Sequence, residues 1–185
     1  FRRLDDLLCT TQKMRIPLAV AMLDLDHFKR VNDVHGHAVG DGVLQHFAQQ
    51  MRKHLRPLDA VGRIGGEEFL MLLPNADVTS ALPVLERLRA RLDDMQAPPP
   101  LPYTFSAGVA AALPGDGVAD VVRRADDALY AAKTGGRNQL VVAATNASTT
   151  STLVGNHAYA VVATWGSGAS AWVQVRNPWG IDGGS

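Results

Sequence analysis

Two acidic clusters lie far apart in this chain, and together they have the donors of a cation site. The first is Gly65-Gly66-Glu67-Glu68-Phe69, set between the short apolar runs Ala60-Val61 with Ile64 and Phe69 to Leu73. Two strands joined through Gly-Gly read as a β-hairpin whose glycines take positive φ at no steric cost. The tip carries two carboxylates and no bulk, so a ligand can approach the backbone closely. Arg63 is the only cation beside it. The second cluster is Asp24-Leu25-Asp26, which ends the continuous apolar run Leu18 to Leu23. A carboxylate at the end of a buried strand is costly unless paired or metal-bound. Brought together, Asp24, Glu67 and a backbone carbonyl, that of Leu25, supply hard oxygen ligands for Mg²⁺ or Mn²⁺. With few protein ligands such an ion takes phosphates and water, which points to a nucleoside triphosphate. A pair of ions activates a hydroxyl and stabilises a leaving pyrophosphate. That is phosphoryl transfer by positioning and electrostatics, with no covalent step. Taken alone, the acidic tip is more often a solvated hairpin edge; Asp24 is what turns the reading.

The elements that must position these residues follow from periodicity. Residues 1–13 carry Phe1, Leu4, Leu7 and Leu8 at helical spacing, and Pro17 stops that helix. Leu18 to Leu23 reads as a central strand covered on both faces. A short helix from His27 to about Val34 leads into a Gly- and His-rich loop. Gly40-Asp41-Gly42 opens the next helix, which bears Val43, Leu44, Phe47, Met51 and Leu55 and ends at Pro57. After the hairpin come an amphipathic helix from Ala76 to about Met95, a surface turn at Ala97-Pro98-Pro99-Pro100, and a strand from Tyr103 to Ala112. A helix from Val118 to about Thr134, with Val122, Ala125, Leu129 and Tyr130 inward, is capped by Gly135-Gly136. Gln139 to Val142 is the last strand. A β-α-β-β-α-β core with additions is an α+β, ferredoxin-like antiparallel sheet covered by helices on one side, with the first strand beside the central hairpin.

Composition bounds the alternatives. The chain has 185 residues, 46% apolar, with 18 Lys and Arg against 18 Asp and Glu. Zero net charge offers no global field for a nucleic acid polymer or an anionic membrane, and no run reaches the length of a membrane span. The first residues lack the apolar core of a signal peptide. A single cysteine, Cys9, fits a reducing cytoplasm. The chain opens within a helix, which suggests an excised domain. His27, His35 and His37 do not converge on a helix face, so zinc is disfavoured.

Phosphates need donors. The turn after Asp26 offers the amides of His27, Phe28 and Lys29 at a helix start. Lys133 and Arg137, around the Gly135-Gly136 cap, are placed to close on distal phosphates, although cations also suit any helix C-terminus. Asn32 and Asp41 suit a base edge, and an Asp accepting from an N1–H and a 2-amino group selects guanine. Asp41 before a helix is equally an ordinary N-cap.

These motifs resemble, in order, those of the GGDEF domain: Asp24-Leu25-Asp26-His27-Phe28-Lys29, Asn32-Asp33, Gly36-His37, Gly40-Asp41, Arg63-Ile64-Gly65-Gly66-Glu67-Glu68-Phe69, Ser106-Ala107-Gly108-Val109, Ala125-Asp126-Asp127-Ala128-Leu129-Tyr130, Ala132-Lys133 and Gly136-Arg137-Asn138. The resemblance covers about residues 1–142. It implies a diguanylate cyclase of nucleotide-cyclase or polymerase-palm type, which condenses two GTP into cyclic di-GMP and two pyrophosphates with Mg²⁺ or Mn²⁺. It implies metal ligation by Asp24, Glu67 and the Leu25 carbonyl, with Glu67 easing the proton off the 3′-hydroxyl and Glu68 assisting. Asn32 and Asp41 hold guanine, and Phe28, Lys29, Lys133 and Arg137 handle the triphosphate. Each domain holds one GTP, so catalysis requires a homodimer. The usual Asp-x-Leu-Thr-x-Leu-x-Asn-Arg-Arg segment before the first helix is not seen, so the isolated domain is expected to be poorly active. Arg56-Pro57-Leu58-Asp59 is similar to the family's inhibitory Arg-x-x-Asp, with Arg87 as a second clamp for cyclic di-GMP. An idle cyclic di-GMP receptor using Arg56, Asp59 and Arg87 is the alternative. Either reading requires Asp24 and Glu67 to share a face, neither locked against a Lys or Arg.

From residue 143 to 152 the composition turns small and polar, a linker. Residues 153–185 hold two strand-like runs, Gly155 to Val162 and Trp172 to Gly180, joined through Gly166-Ser167-Gly168. They resemble the His and Asn segments of calpain-like, papain-fold proteases, with His157 and Asn177 as the implied base and its partner. No nucleophile accompanies them, since Cys9 precedes a complete cyclase-like unit, so a triad cannot form. A lone hairpin is marginal, so it is expected to pack on the preceding domain or a second chain.

Overall fold

The computed structural model describes residues 2–93, 101–143, 160–165 and 172–176. In chain order the elements are α1 (Arg2–Met14), β1 (Leu18–Leu25), α2 (Phe28–His35), α3 (His37–His54), β2 (Ala60–Arg63), β3 (Glu68–Pro74), α4 (Val78–Asp93), β4 (Phe105–Ala111), α5 (Val118–Thr134), β5 (Leu140–Ala143), β6 (Ala160–Trp165) and β7 (Trp172–Arg176). The strands form one sheet in the order β2-β3-β1-β4-β5-β7-β6.

β1 is buried along its whole length, because alternate side chains enter two different cores. Ala19, Ala21, Leu23 and Leu25 pack with Phe47 and Met51 of α3 and Leu85 and Leu88 of α4. Leu18, Val20 and Met22 pack with Leu4 and Leu8 of α1 and Ala125 and Leu129 of α5. The ferredoxin-like set β1-α3-β2-β3-α4-β4 thus has its two helices on one face, as its pattern predicts. The added α1 and α5 cover the other face, so the complete domain is three-layered. α5 also makes the crossover that leaves β4 and β5 parallel, whereas β1–β3, β1–β4 and β2–β3 are antiparallel. The sheet is therefore mixed.

α5 lies against the sheet at Gly108 of β4. A Cβ there would stand 2.1 Å from the Ala125 carbonyl oxygen and 2.2 Å from the Leu129 nitrogen, so only glycine admits the helix backbone to this depth. Tyr130, expected inward, is 70% exposed, because the buried stripe of α5 runs through Val121, Ala125, Ala128, Leu129 and Ala132 instead.

α3 begins at His37, three residues before Gly40, and Gly36 at φ 83° serves both as the end of α2 and the start of α3. The tail continues the sheet: β7 pairs antiparallel with β5 through Val142 and Val173, and β6 pairs with β7. Among the described residues no helix is long and apolar enough to cross a membrane. The triproline turn, most of the linker, His157 and Asn177 lie outside the described residues.

Candidate active site

The β1–β3 register sets Asp24 directly opposite Glu68, and side chains facing each other across an antiparallel pair share a face. The Leu25 amide donates to the Glu67 carbonyl oxygen at 3.3 Å, which fixes the Leu25 backbone beside Glu67. The two acidic clusters therefore meet at one end of the sheet. From the other layer, the last turn of α5 brings Lys133 Nζ to 2.8 Å from the Asp24 carboxylate.

Burial raises the Asp24 carboxyl above its ordinary value, Lys133 pulls it back, and Glu68 and Asp26 push it further up. Glu67 is raised too, by burial and then by the Asp24 charge, with Lys133 opposing and Glu68 adding. The site is thus short of positive charge, and one lysine does not offset its crowded carboxylates. The Lys133 contact departs from the expectation that Asp24 would stand free of cations. The Lys133 side chain remains 31% exposed, so the pair is not sealed in the core and the lysine has solvent to move into. Two carboxylates with raised affinity for a positive partner, beside the Leu25 backbone, fit a small hard divalent ion. Among the described residues no cluster of three or more His, Cys, Asp and Glu could hold a metal ion by itself.

The hairpin tip is organised differently from the expected glycine turn. Neither Gly65 nor Gly66 is left-handed. Ile64 N–H donates to the Glu68 carbonyl at 3.0 Å, and Arg63 Nε donates to the carbonyls of Gly65 (3.1 Å) and Gly66 (2.9 Å). The glycines serve space instead of φ. A Cβ on Gly65 would stand 2.6 Å from the Glu68 carboxylate, while a Cβ on Gly66 would meet nothing within 4 Å. The tip is open, and Arg63 holds it in shape.

Beyond β1 the chain turns through His27 at φ 56° into α2. The Phe28 side chain is core, 6% exposed and packed with the α3 and α4 side, so only its backbone is available to a ligand. Lys29 is exposed and Asn32 half-buried. A Cβ on Gly40 would lie 1.9 Å from Asn32 Oδ1; this close approach of α2 and α3 places Asn32 beside the residue preceding Asp41. Asp41 is exposed in the second turn of α3, so it is not an N-cap. It lines a cleft of about 560 Å³ with Gln45, Arg52, Arg63 and Phe69.

Arg56 to Asp59 forms a closed turn. The Arg56 amide donates to the Asp59 carboxylate at 2.8 Å, and the Asp59 amide returns to the Arg56 carbonyl at 3.0 Å. Both line a second cleft of about 480 Å³ with Arg3 of α1 and Arg52 of α3. Arg87 does not line it; it is exposed on α4, near enough to His54 to help hold that imidazole's pKa down after burial.

Arg137 is exposed past the end of α5 at φ 64°. Two residues here carry structure that their sequence motifs did not disclose. Arg63 ties the tip, a role its position in the hairpin hints at. Asp26, 6% exposed, accepts hydrogen bonds from Thr104 Oγ1, Ser106 Oγ and the Asn138 amide. Only its place at the end of a buried strand signalled that it needed partners.

The chain is similar to proteins of one family. The family model described as "Diguanylate cyclase, GGDEF domain" matches residues 1–139. Diguanylate cyclase DgcP of Pseudomonas aeruginosa is 46% identical over 132 residues, covering 68% of this chain and 19% of that protein. The response regulator PleD of Caulobacter vibrioides is 37% identical over 131 residues, covering 68% of this chain and 29% of PleD. The chain therefore spans less than a third of the length of these relatives. Among solved structures, the GGDEF domain of DgcB from Caulobacter crescentus, in complex with c-di-GMP, superposes with a TM-score of 0.72 at 33% identity, over 76% of this chain and 86% of that one. The active GGEEF domain of a diguanylate cyclase from Vibrio cholerae, with the same hairpin lettering as here, gives 0.72 at 34% identity over 76% and 92%. Through residue 139 the chain belongs to the diguanylate cyclase GGDEF-domain family.

Proposed function

We propose that the domain formed by residues 1–142 condenses two GTP into cyclic di-GMP. The observation that carries this reading is the convergence of Asp24, Glu67 and the Leu25 backbone at one sheet end, with Lys133 reaching in from α5. Mg²⁺ or Mn²⁺ bound by Asp24, Glu67 and the Leu25 carbonyl would supply charge neutralisation at the triphosphate. Asn32 and Asp41 hold the guanine edge. The first amides of α2 and Lys29 receive phosphate oxygens, since the opening amides of a helix have no intrahelical acceptor. Lys133 leaves Asp24 for the triphosphate and joins Arg137 there. Glu67, whose carboxyl burial raises above its ordinary value, accepts the proton of the 3′-hydroxyl as the carboxylate, with Glu68 beside it. The 3′-oxygen attacks the α-phosphorus of the second nucleotide, the bond to the bridging oxygen breaks, and pyrophosphate leaves; the reciprocal step closes the ring. Each domain presents one nucleotide, so the reaction takes two domains facing each other.

The same reading gives the second cleft to product. Arg56 and Asp59 hold cyclic di-GMP, with Arg3 and Arg52 as further cations on its phosphodiesters and Arg87 as an outer clamp. The alternative, a receptor that binds cyclic di-GMP without making it, rests on this cleft alone. The test is a forcibly dimerised chain incubated with GTP and Mg²⁺, with cyclic di-GMP and pyrophosphate quantified by chromatography. Turnover that Glu67→Gln removes supports the cyclase. Product binding with no turnover leaves the receptor.

A further inference from the structure

The geometry points to Asp26 as a positioning residue that sets the phosphate-facing turn after α5. This inference rests on the cyclase reading for what the turn does, though not for how it is held. Three consecutive residues there have positive φ: Gly136 at 122°, Arg137 at 64° and Asn138 at 45°. Two of the three are not glycine, and an L residue resists that conformation. Such a stretch persists only where its surroundings over-determine it.

The holding contacts come from two directions. From the helix side, the Gly135 amide donates to the Ala131 carbonyl (2.9 Å) and the Arg137 amide to the Ala132 carbonyl (3.0 Å), the long-reach bond of a Schellman cap. From the sheet side, the Asn138 amide donates to Asp26 at 3.0 Å. The Asn138 Oδ1 is buried and has no hydrogen-bond partner among the described residues, so the amide bond to Asp26 is the contact that ties this residue to the sheet. Asp26 is itself immobilised: Thr104 and Ser106 each donate to it at 2.7 Å, and its amide is bound to the Thr104 carbonyl at 2.9 Å. One carboxylate thus clamps the end of β1, the start of β4 and the turn after α5. That turn carries Arg137 and follows directly on the helix end that bears Lys133. Asp26 spends both oxygens on these donors, which sets it apart from its neighbour Asp24. It acts through Arg137 and does not itself touch substrate or metal.

The experiment uses the full chain and three readouts: hydrogen exchange of the Asn138 amide, calorimetry with a non-hydrolysable GTP analogue in Mg²⁺, and a Mn²⁺ titration without nucleotide. For Asp26→Asn, the Asn138 amide is expected to lose protection. Affinity for the analogue should fall about tenfold, the scale of one charge-assisted hydrogen bond, with Mn²⁺ affinity unchanged. In an Arg137→Ala background the same substitution should cost nothing further, because its effect passes through that arginine. Thr104→Val, a milder change should Asp26→Asn not fold, is expected to give a smaller loss of the same kind, again absent without Arg137. Loss of Mn²⁺ binding, additive losses in the double variant, or an unaltered Asn138 amide would each overturn the assignment. If the unaltered chain binds no analogue, the cyclase reading falls, and the anchoring of the turn stands or falls on the Asn138 amide.

Discussion

Gly108→Ala tests whether α5 is held at its depth by a missing side chain. The added Cβ would stand 2.1 Å from the Ala125 carbonyl oxygen and 2.2 Å from the Leu129 nitrogen, where ordinary contact begins at 3.4 Å. These are backbone atoms of a helix and cannot rotate away, so α5 must retreat by about 0.9 Å to reach the 3.0 Å limit and about 1.3 Å to reach ordinary contact. Overpacking of this kind costs about 1–3 kcal/mol, and the stiffer backbone of alanine returns roughly 0.5–1 kcal/mol. The net loss, about 1 kcal/mol from the middle of these ranges, corresponds to a melting temperature lower by about 3–5 °C for a domain of this size. The same retreat carries Lys133, now 2.8 Å from Asp24, away from the triphosphate it is proposed to bind, so cyclase turnover in a forced dimer should fall further than the stability loss explains. Gly62→Ala is the control: a Cβ there meets nothing within 4 Å, so only the stiffer backbone of alanine acts and the melting temperature should hold or rise slightly. Thermal unfolding followed by circular dichroism decides the matter. A Gly108→Ala chain as stable as the parent, or a Gly62→Ala chain equally damaged, refutes the reasoning.

Asp24→Asn in chelator should raise the melting temperature at pH 7, since it removes a charge that burial disfavours, while abolishing stabilisation by added Mn²⁺; a lower melting temperature without metal would contradict the charge-shortage reading. The pH dependence has a definite sign. The folded carboxyls of Asp24 and Glu67 lie above their ordinary 3.8 and 4.5, so the native state holds these protons more tightly than the unfolded chain. Their contribution is therefore complete below about pH 4 and is lost as pH rises through the raised values. The melting-temperature gain of Asp24→Asn with Glu67→Gln over the parent should accordingly widen from pH 4 to 7 in chelator; a constant gap would count against it. Arg56→Ala should leave turnover intact and weaken product inhibition about tenfold, read as a shift in the inhibition curve, as expected on losing a bidentate arginine contact; an unchanged curve would remove Arg56 from the cleft's function.

The pattern-bearing parts of the fold were legible in the sequence, because each depends on nearby residues. The unbroken apolar run of β1 required cover on both faces and the helical stripe of α5 required it on one, and each has it. The hairpin motif predicted two strands, and β2 and β3 form beside β1. What stayed hidden depends on groups distant in the chain. Gly108 looks like any small strand residue until α5 is laid on it. Gly65 and Gly66 suggested a positive-φ turn, whereas their value here is room for Glu68 and an open tip. Tyr130 sat within an apolar stretch, yet its helical angle points it outward. The Asp24–Lys133 pair joins residues 109 positions apart and could not be read from either motif. A buried carboxylate needs a partner, and a metal is the partner that the sequence suggests for Asp24. The folded domain supplies a partner of each kind of chemistry at once: hydroxyls and an amide for Asp26, a lysine for Asp24. Asp26 is saturated by neutral donors that have no other task, so it is fixed. Asp24 and Glu67 share a single, partly solvated cation, an under-neutralised arrangement that a divalent ion and its phosphates can complete.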